Sequence, residues 1–440
     1  MEEPLVSLID LFLLPVYFVL CMIGAVYYKK KHPGDELVQK YFIKGFIVKI
    51  LGALLYALLI VYYWGFGDSA TYFKEVLQLR ELLAQNRTTF SEIFLYDYSF
   101  FRDNFNLIGS VNNNGFMVTK IALLFSYLGF SRFLITTLLF SVIAYAGLFT
   151  LFKIFARQIP RLTGMVAFFT IFFPSIAMYG SGILKDTVCM TALCFMFYYS
   201  YQFFISKIYS LRYAAMIVLC AYFIIVIKSY ILAAFLAPFA IFLVIQVIRR
   251  IESAALRTIS FILIFLLGIG IIFVMLESIM QTLGIQSAEQ MQNEMQNLQS
   301  EYAKMNDNAD SNFSIGAMDP SIGGMIRKMP AGFVATLYRP FLWEARKIFV
   351  LFTALESLFI SLFTLYVIFK AGLFNFIKKI FTDPIAFLCI FFSIIFAGLV
   401  GLSTPNFGTL ARYRIPVIPF YLMGLLMILY RSGISKLKKH

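Results

Sequence analysis

The sequence predicts an all-α, polytopic integral membrane protein with about eleven (ten to thirteen) transmembrane helices. Two observations carry that prediction. Hydrophobic residues make up 61% of the 440 positions and charged residues 14%, with a mean hydropathy of +0.83. A soluble chain of this length needs far more polar surface. The apolar residues also run in blocks of roughly 20, enough to cross a hydrocarbon core. Inside lipid every backbone amide must be satisfied within its own segment, so such blocks are helices. No alternating pattern supports a β-barrel.

The blocks are justified in chain order by the charges at their ends. The N-terminus is acidic (Glu2, Glu3, Asp10), and Lys29, Lys30 and Lys31 follow the first block. A cleavable signal peptide has the reverse charge order, so the first block reads as a span with its N-terminus outside. With positive ends taken as cytoplasmic, spans fall near 11–28, 43–64, 133–152, 163–181, 184–205, 211–227 and 230–248. They continue near 258–276, 348–369, 384–402 and 415–430. One assignment then puts Lys29 to Lys31, Lys153, Arg157, Arg161, Lys207, Arg212, Arg249, Arg250, Lys370, Lys378, Lys379 and the tail on a single inner side. The C-terminus is therefore expected in the cytoplasm. The stretch 116–131, with Lys120 inside it, reads as a re-entrant or interfacial helix or as a twelfth span.

A single transmembrane domain over 1–440 is expected, with two outer loops, 65–132 and 277–347. In 74–85, Val76, Leu79 and Leu83 recur at helical spacing, which predicts an amphipathic helix on the membrane surface. In 287–306, Met291, Met295, Leu298, Tyr302 and Met305 predict a second. The stretch 306–324 is polar and Gly-rich.

The net charge of +14 sits in short clusters at the ends of apolar blocks, which is topology-setting charge and not a nucleic-acid groove. Cys21, Cys189, Cys194, Cys220 and Cys389 all lie in apolar stretches and read as small core residues. Only His32 and His440 are present. A His-based zinc site or a Ser-His-Asp triad is excluded, which leaves carboxylates, Arg, Lys, Tyr or the substrate itself for chemistry.

Four stretches contain side chains suited to chemistry. GDSATYF at 67–73 follows the second span, where the Asp68 carboxylate is either a general base or cation ligand or simply a helix cap. FFPSIAMYGSGILKDT at 172–187 ends in Lys185 and Asp186, either a structural rim pair or a phosphate grip beside a carboxylate that orients a hydroxyl. LYRPFLWEARK at 337–347 offers Arg339, Trp343, Glu344 and Arg346 at an interface. Glu356, about three turns deeper, needs a partner inside the bundle. NFGTLARYRIPVIPF at 406–420 places Arg412, Tyr413 and Arg414 at the outer end of the last span. Charge of that sign is disfavoured there, and Arg suits phosphate.

Together these pieces resemble the C-type glycosyltransferase superfamily (GT-C), in particular its bacterial polysaccharide-pathway members. The resemblance rests on the GD-x-x-x-Y pattern of Asp68 and Tyr72, and on the run ALLFSYLGFSRFLITTLLFSVIAYAGLFTLFKIF. It rests also on the PS and small-residue turn before Lys185-Asp186, on RPFLWEA, and on ARYRIPVIPF. It implies sugar transfer from a polyprenyl-phosphate-linked donor at the outer face of a bacterial inner (cytoplasmic) membrane. Asp68 would be the general base, with a divalent cation (Mg or Mn) admitted there, and Asp186 a second catalytic carboxylate. Lys185, Arg412 and Arg414 would neutralise the leaving phosphate, and Tyr72, Arg339, Trp343, Glu344 and Tyr413 would contact substrate.

Two features depart from the family pattern. Asp68 has no acidic neighbour, where some branches have an acidic pair. No sizeable C-terminal soluble domain is expected, which favours a lipid or glycan acceptor over a protein. Three other readings stay open: a polymerase or ligase of polyprenyl-diphosphate-linked glycans, a lipid-glycan flippase or transporter, and a purely structural membrane partner.

Overall fold

The computed structural model describes residues 5–110, 112–248, 259, 313, 322–404 and 406–433. All the regular secondary structure among them is helical. Seven helices are long and apolar enough to cross a membrane, or eight if the bent pair Phe407–Tyr413 and Ile418–Arg431 is one span. The chain is a multi-pass membrane protein on these helices. By packing it divides into two compact units, Met1–Lys228 and Ser229–His440.

The first unit begins with α1 (Leu8–Lys31), whose apolar surface is almost wholly exposed, as a helix facing lipid should be. The second span runs from Val38 to Trp64, with α2 (Ile43–Leu58) between two π-helical turns. Gly65, at φ +71, closes it in the left-handed conformation, which costs glycine nothing. Helices α3 (Asp68–Ala84), α4 (Phe90–Leu95), α5 (Tyr98–Phe105) and α6 (Asn113–Leu128) follow.

α3 is a helix where the spacing of Val76, Leu79 and Leu83 predicts one. Its stripe of Phe73, Val76, Leu79 and Leu82 is buried, and it packs on α6, so the apolar face is covered by protein instead of lipid. α6 itself, at 16 residues, is not among the span-length helices. Its Lys120 is buried and donates to the Phe94 and Tyr96 carbonyls at 3.3 and 2.9 Å. That satisfies an ammonium that lipid would not.

The centre of the unit is α7 (Phe133–Gln158), flanked by α1, α2, α6 and α10 (Lys185–Ser200). The expected span at 163–181 is broken into α8 (Thr163–Ala167), a π-turn, and α9 (Pro174–Tyr179). Pro174 has no N–H to continue the ladder. The two expected spans 211–227 and 230–248 fall in one helical run, α11 (Leu211–Ile248), broken at Lys228 (φ −151, ψ 77). The break lies between the two expected spans.

Polar links define the two ends of the first unit. At one end Lys153 meets Asp35 at 3.7 Å, Gln158 donates to Tyr201 at 2.9 Å, and Lys29 to Lys31 close α1. At the other, Arg132 donates to Ser7 at 2.9 Å and lies 3.9 Å from Asp10. The lysine clusters of this unit thus share one end.

In the second unit, α12 (Ile322–Tyr338) packs on α15 (Pro384–Ser403). The sequence placed residues 322–338 in an outer loop. Gly332, Gly398 and Gly401 let the two backbones touch, and Thr336 donates across the seam to the Ala397 carbonyl at 2.7 Å. Small residues at a helix crossing allow this approach. Around them stand α13 (Ile348–Ala371), α14 (Leu373–Thr382), the short α16 (Phe407–Tyr413) and the buried α17 (Ile418–Arg431).

α14 is a surface helix: Leu373, Phe374, Ile377 and Phe381 are exposed, with Lys378 and Lys379 on the same ten residues. It has the character expected of the loop helices, in a place where only a basic span end was expected. The expected span 258–276 and the Met-rich helix of 287–306 lie outside the described residues.

Candidate functional site

Two groups of polar residues stand out, one in each unit. In the first unit the left-handed Gly65 and Gly67 (φ +149) turn the chain from the second span into α3. Gly67 takes the cap position: its carbonyl accepts from the Ala70 and Thr71 amides at 3.0 and 3.1 Å. Asp68 is therefore the first residue of the helix and not its cap. Its side chain is exposed, and a carboxylate in the first turn is favoured by the helix dipole.

The next residue fastens this corner to the second candidate stretch. Ser69 Oγ donates to the Ile183 carbonyl at 2.9 Å. Gly182 sits so close to Tyr56 that a Cβ there would lie 2.6 Å from the ring. The turn 180–184 is thus pressed onto the start of α3, and α10 begins beside it with Lys185 and Asp186. Lys185 lies within electrostatic reach of Asp68, Asp186 and Lys228. Its Nζ donates to Asn112 Oδ1 at 3.3 Å, and Asn112 also caps α6 through the Gly115 amide at 3.2 Å.

Asp186 is nearly fully buried, and its Oδ1 accepts from Lys228 Nζ at 2.6 Å. Of the two carboxylates picked from the sequence, Asp68 is exposed and Asp186 is buried, in an ion pair with Lys228. Tyr72, one turn along α3 from Asp68, is buried close to Gly115 of α6, so it packs the corner.

A third carboxylate, Glu75, is fully buried one turn further on. Its Oε2 accepts from the Ser110 and Thr119 hydroxyls, the former at 2.9 Å, and its Oε1 from the Ser110 amide. Burial holds the Glu75 carboxyl above its ordinary value, against the lowering effect of these hydrogen bonds and of Lys185. Gly109, at φ +156, is required here: a Cβ would fall on the Glu75 carboxyl.

Sequence reading missed Glu75, because Lys74-Glu75 looks like the solvated face of an amphipathic helix. It missed Lys228 as well, although a lysine between two apolar runs was a visible signal.

The third and fourth stretches come together in the second unit. Arg339 and Glu344 form a two-pronged ion pair, with Arg339 Nε 3.1 Å from both carboxylate oxygens. Glu344 also accepts from the Phe341 amide at 2.8 Å. The Arg339 guanidinium lies over the rings of Phe313 and Phe407, 4.8 and 5.5 Å from their centroids. The salt-bridged side chain holds the Glu344 carboxyl below its usual range, against the opposing effect of burial.

Arg414 is completely buried. It donates to Glu356 at 3.0 Å and to Ser357 at 2.7 Å. Longer contacts of 3.4 Å reach the Arg339 and Thr353 carbonyls. Glu356 thereby has the partner that the sequence required without naming. Arg412 and Tyr413 are half-buried, and Trp343 is 81% exposed.

Among the described residues no three His, Cys, Asp or Glu side chains converge as a metal site. No protein-family model, curated protein or solved structure matches the chain.

Proposed function

We propose that the chain is a membrane glycosyltransferase that moves a sugar from a polyprenyl-phosphate-linked donor to a lipid or glycan acceptor. The reaction takes place at the outer face of a bacterial cytoplasmic membrane, with the N-terminus outside and the C-terminus in the cytoplasm. The observation that carries this reading is the pairing of an exposed carboxylate, Asp68, with the Lys185 ammonium within its electrostatic reach. Both belong to the end of the first unit away from its lysine clusters, the end that the positive-inside rule assigns to the exterior.

Transfer needs a base for the acceptor hydroxyl and a cation for the departing phosphate. Asp68 takes the hydroxyl proton while the acceptor oxygen bonds to the anomeric carbon. The bond from that carbon to the phosphate oxygen breaks, and its electron pair leaves on the polyprenyl phosphate beside Lys185. A divalent cation at Asp68 fits an exposed carboxylate if donor phosphate oxygens and water complete its ligands, as they do around Mg. Arg414 is enclosed in an ion pair with Glu356, so of the three cations first assigned to the leaving phosphate the reading rests on Lys185.

The test is Asp68→Asn, with variant and wild type matched for membrane level. Loss of the surface glycan that depends on this chain, by about a hundredfold or more, is the expected result. A fully active variant removes Asp68 as the base and moves the reading to the polymerase.

A further inference from the structure

The proposed site has one cation that the transferase reading does not use. Lys228 interrupts α11 with non-helical backbone angles, is buried to within 8% of full cover, and points its ammonium at Asp186. An ionisable side chain inside a membrane helix is costly and generally marks a substrate path. Lys228 is also close enough to Lys185 for the two ammonium groups to repel each other.

Both face the first turn of α10, whose helix dipole adds further positive charge. The carboxylates available to balance them are Asp186, which is buried, and Asp68, which is exposed. Glu75, also within reach of Lys185, is shifted by burial toward its neutral form. A group with two negative charges would relieve the repulsion better than either carboxylate does. The next residues of α10, Thr187 and Val188, line an almost wholly apolar cavity of about 210 Å³ walled by α6, α7, α10 and the first arm of α11. An anion with an apolar tail suits this arrangement better than free phosphate.

We infer that Lys228 is a second phosphate-binding residue of this site, held on Asp186 until a lipid phosphate enters between it and Lys185. This rests on the transferase reading and adds a residue to it. Asp186 then has a positioning role: it keeps a buried ammonium charged and aimed.

The experiment measures binding of undecaprenyl phosphate, with undecaprenol and inorganic phosphate as comparison probes, to the full chain in nanodiscs. The double variant Lys228→Met with Asp186→Asn removes both charges and leaves neither buried alone. It is expected to bind undecaprenyl phosphate about ten- to a hundredfold more weakly, the worth of one charge-assisted hydrogen bond, with undecaprenol binding unchanged. Lys228→Arg keeps the charge and the ion pair, and is expected to change phosphate affinity severalfold at unchanged melting temperature. It serves if the double variant does not fold.

If neither variant alters phosphate binding, Lys228 is structural and the inference falls while the transferase reading stands. If wild type fails to prefer undecaprenyl phosphate over undecaprenol, the transferase reading falls with it. If inorganic phosphate binds as tightly as the lipid, the site is one for free phosphate and the lipid part of the inference is overturned.

Discussion

The Arg414 guanidinium lies 3.0 Å from the Glu356 carboxylate, and Arg414 has no exposed surface. Two charges that the sequence presents 58 positions apart form one buried pair in the second unit. Ser357, next to Glu356, both accepts from Arg414 and donates to the Arg339 carbonyl. The pair therefore ties α13 to the ends of α12 and α16.

Removing one partner leaves the other charge buried and alone, which costs about 3–5 kcal/mol. Glu356→Gln and Arg414→Met should each lower the melting temperature in detergent and reduce the amount of protein in membranes. The combination of Arg414→Met with Glu356→Leu should recover most of the loss, because neither charge is then stranded. A single variant as stable as wild type would show that the pair contributes little.

Glu75 predicts a pH dependence with a definite sign. Burial places its folded-state value above the ordinary 4.5, so the folded chain binds this proton more tightly than the unfolded chain does. Its contribution to stability is complete at low pH and declines as pH rises from about 4.5 through the folded-state value. Glu75→Gln removes the titration. The melting temperature of wild type minus that of the variant should therefore fall with rising pH and then level off. A difference that is flat, or that rises with pH, would overturn the assignment.

The α12–α15 crossing predicts an asymmetry among glycines. A Cβ at Gly401 would fall on the Gly332 backbone, whereas one at Gly24 in α1 meets nothing within 4 Å. Gly401→Ala should destabilise by about 1–3 kcal/mol, because the helices must separate. Gly24→Ala should be neutral or slightly stabilising, since alanine is the better helix former. Thermal unfolding of the two variants side by side checks this, and equal behaviour would sink the close-crossing argument.

Several elements were legible from hydropathy and charge alone. The spans at 11–28, 43–64, 133–152, 348–369 and 384–402 each fall inside a span-length helix, and 184–205 matches Lys185–Ile205 but for its first residue, because a 20-residue apolar block has one stable conformation in lipid. Glu356 was recognisable as a charge in need of a partner. What covers the stripe of 74–85 was not legible, since an amphipathic stripe looks the same whether lipid or a neighbouring helix lies against it. The helix at 322–338 was missed because its glycines, which lower apparent hydropathy, are there for the crossing with α15.

The sequence by itself determined that this chain is helical and crosses a membrane many times, and that its histidines are only two. Those properties are local: they follow from the free energy of each segment in lipid and from the residue types present. Only the tertiary structure decided that Asp68 comes within electrostatic reach of Lys185, that Asp186 is taken up by Lys228, and that Arg414 answers Glu356. Those pairings join residues 42 to 117 positions apart. Such distances close only when helices pack, and no local pattern records which neighbour a buried charge will find.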